Sequence, residues 1–122
     1  MTSKPNPIVP CDLRALTEQE RAVIGWLLDH CDQGDEFRNQ IDRITVCSNC
    51  TCGCPTVDFA YDSVPVSRNG GRVISDHLAE MNGEPFGVML FASEGKLSTL
   101  EVYSQTVNVI SFGLPTTEQL FP

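Results

Sequence analysis

The fold is decided by one stretch near the C-terminus, Phe86-Gly-Val-Met-Leu-Phe-Ala92, Ser93-Glu-Gly-Lys96, Leu97-Ser-Thr-Leu-Glu-Val-Tyr-Ser104. Two arms rich in apolar residues flank a short segment in which Gly95 can form the turn, and this pattern predicts a β-hairpin. The first arm is apolar throughout, which is typical of a central strand covered on both faces. In the second arm Leu100 and Val102 alternate with Glu101 and Tyr103, so we expect a neighbouring strand with one wetter face.

Further strands are predicted on the N-terminal side of this hairpin. Ile44 and Val46 alternate with polar residues, and the segment Val57-Asp-Phe-Ala-Tyr-Asp62 repeats the period of two. This period is the one that half-buried strands require. Two strands therefore flank a group of cysteines.

Two clusters of turn residues divide the segments between these strands and the hairpin. Asn69-Gly70-Gly71 and Asn82-Gly83 tolerate positive φ, so each is predicted to be a hairpin turn. The three segments that they would join are 64–68, 72–81 and 86–92. A short helix over Ser75 to Met81 is the alternative.

A helix is predicted before the sheet. Thr17-Glu18-Gln19-Glu20 has the form of a capping box, which marks a helix start. The apolar residues that follow at helical spacing form one stripe: Val23, Ile24, Leu27, Leu28, Cys31. Gly34 is expected to end this helix in a left-handed conformation, and a short second helix should carry Phe37 and Ile41.

These elements together predict an α+β fold. An N-terminal helix over about 18–32 and a short second helix should pack on a mainly antiparallel sheet of about five strands. The length of 122 residues suits one core. Residues 1–10, with three prolines, are expected to be a flexible lead-in, and residues 11–122 a single domain.

Charge composition narrows the class of partner. Eight basic residues stand against sixteen acidic residues, a formal charge of −8. Such a surface repels phosphate backbones and anionic lipids, so neither nucleic acid nor a membrane is the expected partner. A basic protein is the complementary one. The N-terminal residues lack the apolar run of a signal peptide, and no later run approaches a membrane span, so a cytoplasmic protein is expected.

The main candidate site is the cluster Cys47-Ser-Asn-Cys50-Thr-Cys52-Gly-Cys54-Pro55. Thiolates bind zinc, copper(I) or iron, so Cys47, Cys50, Cys52 and Cys54 are candidate metal ligands, with zinc as the candidate ion. The spacing differs from the paired C-x-x-C knuckles of zinc ribbons. Two alternatives stay open: a thiol redox pair, most easily Cys47 with Cys50, and cysteines that only pack.

Acid–base chemistry is the second candidate. Asp58 and Glu101 are the carboxylates of interest on predicted strands, and His77 could be their partner if the three converge. Carboxylates solvated on a strand face are the more common arrangement. The sequence contains no phosphate-binding glycine loop, nucleophile elbow or zinc-protease motif, so an enzyme is the less favoured class.

Three stretches resemble a family of small bacterial proteins of unknown function. They are Ala15-Leu-Thr-Glu-Gln-Glu-Arg21, Cys52-Gly-Cys-Pro-Thr-Val-Asp58 and Gly95-Lys-Leu-Ser-Thr-Leu-Glu-Val-Tyr-Ser104. The resemblance spans about 14–104 and is centred on C-G-C-P-[ST]-V-[DE] and L-S-x-L-E-V-Y-S. It implies a stand-alone bacterial domain with a helix followed by a sheet, and it supplies no catalytic residues.

Three functions are compatible with these observations. The leading hypothesis is an acidic immunity- or inhibitor-like protein that binds a basic protein partner. The first alternative is a thiolate metal-binding or redox module built on Cys47–Cys54, and the second is an unrecognised enzyme. A homodimer through an exposed sheet edge is also compatible, with 64–68 or 109–113 as the candidate edges.

Overall fold

A computed structural model of the chain describes residues 8–106 and 111–122. Its helices are α1 Glu18–Asp29 and α2 Gly34–Phe37, with 3-10 turns at Arg38–Gln40 and Thr117–Gln119. The strands are β1 Ile8–Arg14, β2 Ile44–Cys50, β3 Val57–Tyr61, β4 Val64–Pro65, β5 Arg72–Met81, β6 Glu84–Ser93, β7 Lys96–Ser104 and β8 Leu120–Phe121. The α+β class is confirmed. No helix in the described ranges is both long enough and apolar enough to span a membrane.

The described strands form one antiparallel sheet in the order β1-β2-β3-β7-β6-β5-β8, with β4 paired to β3. The sheet has eight strands, so the expectation of about five was too low. The additional strands are short or irregular. Residues 8–10 of the predicted lead-in pair with β2, and β4 and β8 contain two residues each. Residues 1–7 lie outside the described residues.

The central hairpin is confirmed as β6 and β7. Its turn uses two positive φ angles, 52° at Glu94 and 79° at Gly95. Asn82 and Gly83, with φ of 53° and 78°, form the predicted turn between β5 and β6. Two adjacent residues at positive φ match the twist of the flanking strands in a tight hairpin.

The predicted hairpin at Asn69-Gly70-Gly71 is wrong. These residues do turn the chain, since the Gly71 N–H donates to the Arg68 carbonyl at 3.0 Å. However, β4 pairs with β3, while β5 pairs with β6 and β8. The ladder between β5 and β6 extends from Arg72 to Met81, so the alternative of a helix over Ser75–Met81 is also wrong.

The capping box of α1 is confirmed. The Thr17 hydroxyl accepts from the Glu20 N–H at 3.0 Å, and the Thr17 N–H donates to Glu20 Oε1 at 2.8 Å. The helix ends at Asp29, earlier than residue 32, and Gly34 begins α2 instead of ending α1. Gly34 is required by a close approach: a Cβ on it would lie 1.7 Å from the Leu28 carbonyl oxygen.

The core lies between α1 and one face of the sheet, which we call the helix face. Four residues of the apolar stripe lie in α1 and are buried there: Val23, Ile24, Leu27, Leu28. The side chains from the sheet that are buried against them include Phe59, Val88, Leu90, Leu100 and Val102. Cys31, the last residue of the predicted stripe, lies beyond α1 and is half-buried. Ser75 fixes the helix to β5 because its hydroxyl donates to the Leu27 carbonyl at 3.0 Å. The opposite side of the sheet, which we call the open face, carries the alternate residues of each strand.

Candidate thiolate site

The cysteine-rich segment is the loop between β2 and β3. It begins where Cys50 ends β2, and the Cys50 N–H donates to the Thr56 carbonyl at 3.1 Å, which closes the loop. Gly53 adopts a φ of 103°, a conformation that other residues rarely take. Its carbonyl accepts from the Phe112 N–H at 3.1 Å, so the C-terminal segment holds the tip of the loop.

Thr56 attaches the end of this loop to the sheet. Its hydroxyl donates to the Val102 carbonyl at 3.1 Å and accepts from the Val102 N–H at 3.0 Å. The threonine side chain therefore replaces a backbone partner for β7 immediately before β3 begins. Hydrogen bonds therefore anchor both ends of the loop that carries the cysteines.

The sulfur atoms of three cysteines converge in the loop. The Sγ atoms of Cys50, Cys52 and Cys54 all lie within 4.8 Å of one another. Cys50 and Cys52 form a disulfide, and the Cys54 Sγ lies 2.9 Å from the Cys52 Sγ. Cys52 is exposed, whereas Cys50 and Cys54 are half-buried. Solvent therefore reaches the group at Cys52.

Cys47, the fourth predicted ligand, lies outside this group. It sits in β2 at an irregularity of the pairing with β3, and it is buried with 7% exposure. Burial raises the pKa of the Cys47 thiol, with nearby Asp58 adding to the shift. A raised pKa disfavours the thiolate, which is the form that binds a metal ion.

The convergent thiols can exist in two chemical states. When all three are reduced, the sulfur atoms are close enough to ligate one metal ion, because a zinc–thiolate bond is about 2.3 Å long. When Cys50 and Cys52 are oxidised to a disulfide, the only thiol left in the group is Cys54. The two states share atoms, so disulfide formation and metal binding by all three sulfurs exclude each other.

Asp58 is buried in the sheet, with 8% exposure, instead of solvated on a strand face. Its Oδ1 accepts from Thr99 Oγ1 at 2.8 Å and from Arg68 Nε at 2.8 Å. A buried carboxylate is tolerable because a cation and a hydroxyl satisfy it. Arg68 was missed in the sequence because it comes from the turn after β4, ten residues away.

Glu101 lies on the same face of the sheet as Asp58, but His77 does not. Glu101 is half-exposed and lines, with Arg68 and Thr99, a depression of about 170 Å³. His77 lies on the helix-face side of β5, where its ring nitrogens lie 3.0 Å from the Phe121 carbonyl oxygen and 3.1 Å from that of His30. The three candidate acid–base residues do not converge.

Comparison with known proteins gives no family for the chain. No protein-family model matches it, and no curated protein and no solved structure is significantly similar to it. The resemblance to a bacterial family of unknown function therefore stays a prediction.

Proposed function

We propose that the chain is a thiolate metal-binding module in which Cys50, Cys52 and Cys54 bind one zinc ion when reduced. The observation that carries this proposal is the convergence of their Sγ atoms within 4.8 Å in a loop that is hydrogen-bonded at both ends. Thiolates are the ligands that zinc prefers in such sites, and three of them at this spacing act as one chelating group.

Three protein ligands leave one position of a tetrahedral zinc ion open. In the described residues the group contains no fourth cysteine, histidine or carboxylate. Exposed Cys52 puts the open position near solvent, where a water or a group from another molecule can complete the coordination. Copper(I), which is softer, is the ion that competes with zinc for a thiolate group.

Thiol redox chemistry is the second function that a specific observation favours, because Cys50 and Cys52 are joined in a disulfide. Forming this bond removes two electrons and two protons from the two thiols. An oxidised low-molecular-weight disulfide would accept them and leave as two thiols. Cys54 would take no part in this exchange.

Titration of the reduced protein distinguishes the two functions. Under an oxygen-free atmosphere, Zn²⁺ is added in competition with a chromophoric chelator, and Cu⁺ is tested in parallel. We expect one equivalent of Zn²⁺ to bind to the original protein and none to the Cys52→Ser, Cys54→Ser double variant. The control is Cys31→Ser, since Cys31 is half-buried at the end of the helical region and donates to the Leu28 carbonyl.

The outcomes separate clearly. Failure of the original protein to bind either ion, with a reversible disulfide present, would replace the metal function with the redox function. Tight binding that survives in the double variant would place the metal elsewhere and contradict the proposal. Binding of Cu⁺ with no measurable binding of Zn²⁺ would keep the site and change the ion.

A further inference from the structure

The open face of the sheet carries a row of exposed apolar side chains. Leu78 on β5 pairs with Phe121 on β8 and with Gly87 on β6, and Gly87 pairs with Tyr103 on β7. These residues are therefore neighbours across four adjacent strands. Leu78, Tyr103 and Phe121 are 49%, 38% and 50% exposed. We call these three residues the apolar row.

Gly87 makes the apolar row continuous. A Cβ placed on Gly87 would lie 2.1 Å from Cζ of Tyr103, so the tyrosine ring lies directly over the glycine. The ring thus extends across β6 toward Leu78. Leu78, Tyr103 and Phe121 also line a shallow depression of about 390 Å³. Asp76, His77 and Gln105 also line it, so the depression combines the apolar side chains with polar and acidic ones. Binding sites for protein side chains have this mixed character.

Carboxylates flank the apolar row. Asp76 and Glu80 lie two residues to either side of Leu78 on β5, and Glu101 lies two residues before Tyr103 on β7. The period of two places all three on the open face. None of them forms an ion pair with another residue in the described part of the chain.

The described arginines form their ion pairs with other acids, although Arg68 lines a depression together with Glu101. Each of the ion pairs among the described residues joins an arginine to an acid elsewhere, as in Arg14–Glu20, Arg43–Asp62 and Arg68–Asp58. Arg72 is directed to Gln33 on the helix side. The flanks of the apolar row are therefore negative, in a chain whose net charge is −8.

We propose that the apolar row and its carboxylates form a docking surface for a basic protein whose contact segment combines lysine or arginine with apolar side chains. Charge complementarity decides the occupant. A second copy would bring Asp76, Glu80 and Glu101 against the same carboxylates, and like charges across an interface cost free energy. This surface is the one through which an immunity- or inhibitor-like protein would bind its target, and it does not depend on a metal at the thiolate site.

Synthetic peptides test the proposal on the full chain. One peptide alternates lysine with leucine, a second alternates glutamate with leucine, and a third alternates lysine with serine. Binding is measured by calorimetry and mapped by changes in amide chemical shifts. We expect only the lysine–leucine peptide to bind well, with shifts concentrated at Leu78, Tyr103 and Phe121.

Matched variants assign the binding to the surface. Leu78→Ser and Tyr103→Ser should each weaken binding about tenfold, which corresponds to about 1.4 kcal/mol. Val64→Ser is the control, because Val64 is 66% exposed but lies on β4. Asp76→Lys with Glu101→Lys should also weaken binding about tenfold, whereas Glu36→Lys with Glu94→Lys should not.

Each outcome decides the question. Equal loss in Val64→Ser, shifts that map away from the apolar row, or equal binding of the glutamate–leucine peptide would overturn the proposal. A dimer that Tyr103→Ser dissociates would show that a second copy, and not a basic protein, covers this face. Well-dispersed amide spectra of each variant establish that the fold is retained.

Discussion

At the scale of the single residue, Glu20 shows how a buried charge fixes the start of α1. It is 6% exposed, and its carboxylate accepts from Arg14 at 2.8 and 3.0 Å and from the Thr17 N–H at 2.8 Å. Burial alone raises the pKa of Glu20, but the hydrogen bonds and charge of Arg14 and the bonds from Thr17 outweigh it. The pKa of the Glu20 carboxyl in the folded protein therefore lies below its usual value of 4.5.

Replacing Glu20 with glutamine should reduce stability in a pH-dependent way. Because the folded pKa is lowered, the charged carboxylate stabilises the fold above the unfolded pKa, and this contribution is lost as pH falls through the folded value. We expect Glu20→Gln to lower the free energy of unfolding by about 1–2 kcal/mol at pH 7, with a smaller difference below about pH 4. Urea unfolding over a pH series measures both.

Glu18→Gln is the control for this change, since Glu18 lies in the same first turn but is exposed. If Glu20→Gln lowered the free energy of unfolding by the same amount from pH 7 to pH 3, the shape of the side chain, and not its charge, would be responsible for the loss of stability.

Gly34 makes a second prediction at this scale. A Cβ at this position would overlap backbone, 1.7 Å from the Leu28 carbonyl oxygen, and backbone cannot move aside as a side chain can. We expect Gly34→Ala to lower the free energy of unfolding by about 2–3 kcal/mol in urea unfolding. Gly25→Ala is the matched control: nothing lies within 4 Å of its Cβ. It should stabilise α1 by about 0.5–1 kcal/mol. Similar effects of the two substitutions would contradict the account.

At the scale of the elements, Gln40 joins the short helical segment to the central hairpin. Its side-chain amide donates to the Gly95 carbonyl at 2.8 Å and accepts from the Leu97 N–H at 2.9 Å. Gln40 is buried, so water cannot replace either bond. One side chain therefore positions the turn between β6 and β7 against the residues after α2.

Gln40→Leu should destabilise the protein because it leaves a buried N–H and a carbonyl without partners. We expect a loss of about 1–3 kcal/mol in urea unfolding, together with faster hydrogen exchange at the Leu97 amide. Asn39→Ala, at an exposed neighbouring position, should change neither quantity. Unchanged exchange at Leu97 in Gln40→Leu would contradict this role.

Local signals predicted the elements whose partners lie nearby in the sequence. The capping box at Thr17 and the turns at Asn82 and Gly95 depend on contacts within a few residues, and all were confirmed. The pairing of β4 and β5 depends on distant strands, so turn residues at Asn69-Gly70-Gly71 could not decide it. Two-residue strands such as β4 and β8 are too short to show a period.

The two candidate dimer edges were also chosen from local sequence, which does not show how distant strands pair. Val64–Pro65 is a strand, and it pairs with β3. Of the other candidate edge, 109–110 lie outside the described residues and 111–113 form no strand. A homodimer through either edge stays a prediction.

At the scale of the whole molecule, the two candidate functional surfaces lie on different strands of the sheet. The thiolate loop lies between β2 and β3, and the apolar row lies on β5, β7 and β8, with β6 beneath the Tyr103 ring. The cysteine spacing alone was enough to single out the loop. It could not show that Cys47 lies outside the group of converging sulfur atoms, because Cys47 sits at an irregularity in the pairing of β2 with β3 that the spacing does not reveal. The apolar row was not predicted, because its members come from strands that are distant in sequence.

The proposed site holds a metal ion with three thiolates, and not with four. Its most direct test is metal content by elemental mass spectrometry, with a free-thiol count, on untagged protein purified without oxygen. We expect one zinc ion per chain in the original protein and in Cys47→Ala, and none in the Cys52→Ser, Cys54→Ser double variant. Loss of the metal in Cys47→Ala while its fold is retained, or free thiols at all six cysteines without metal in the original protein, would contradict it.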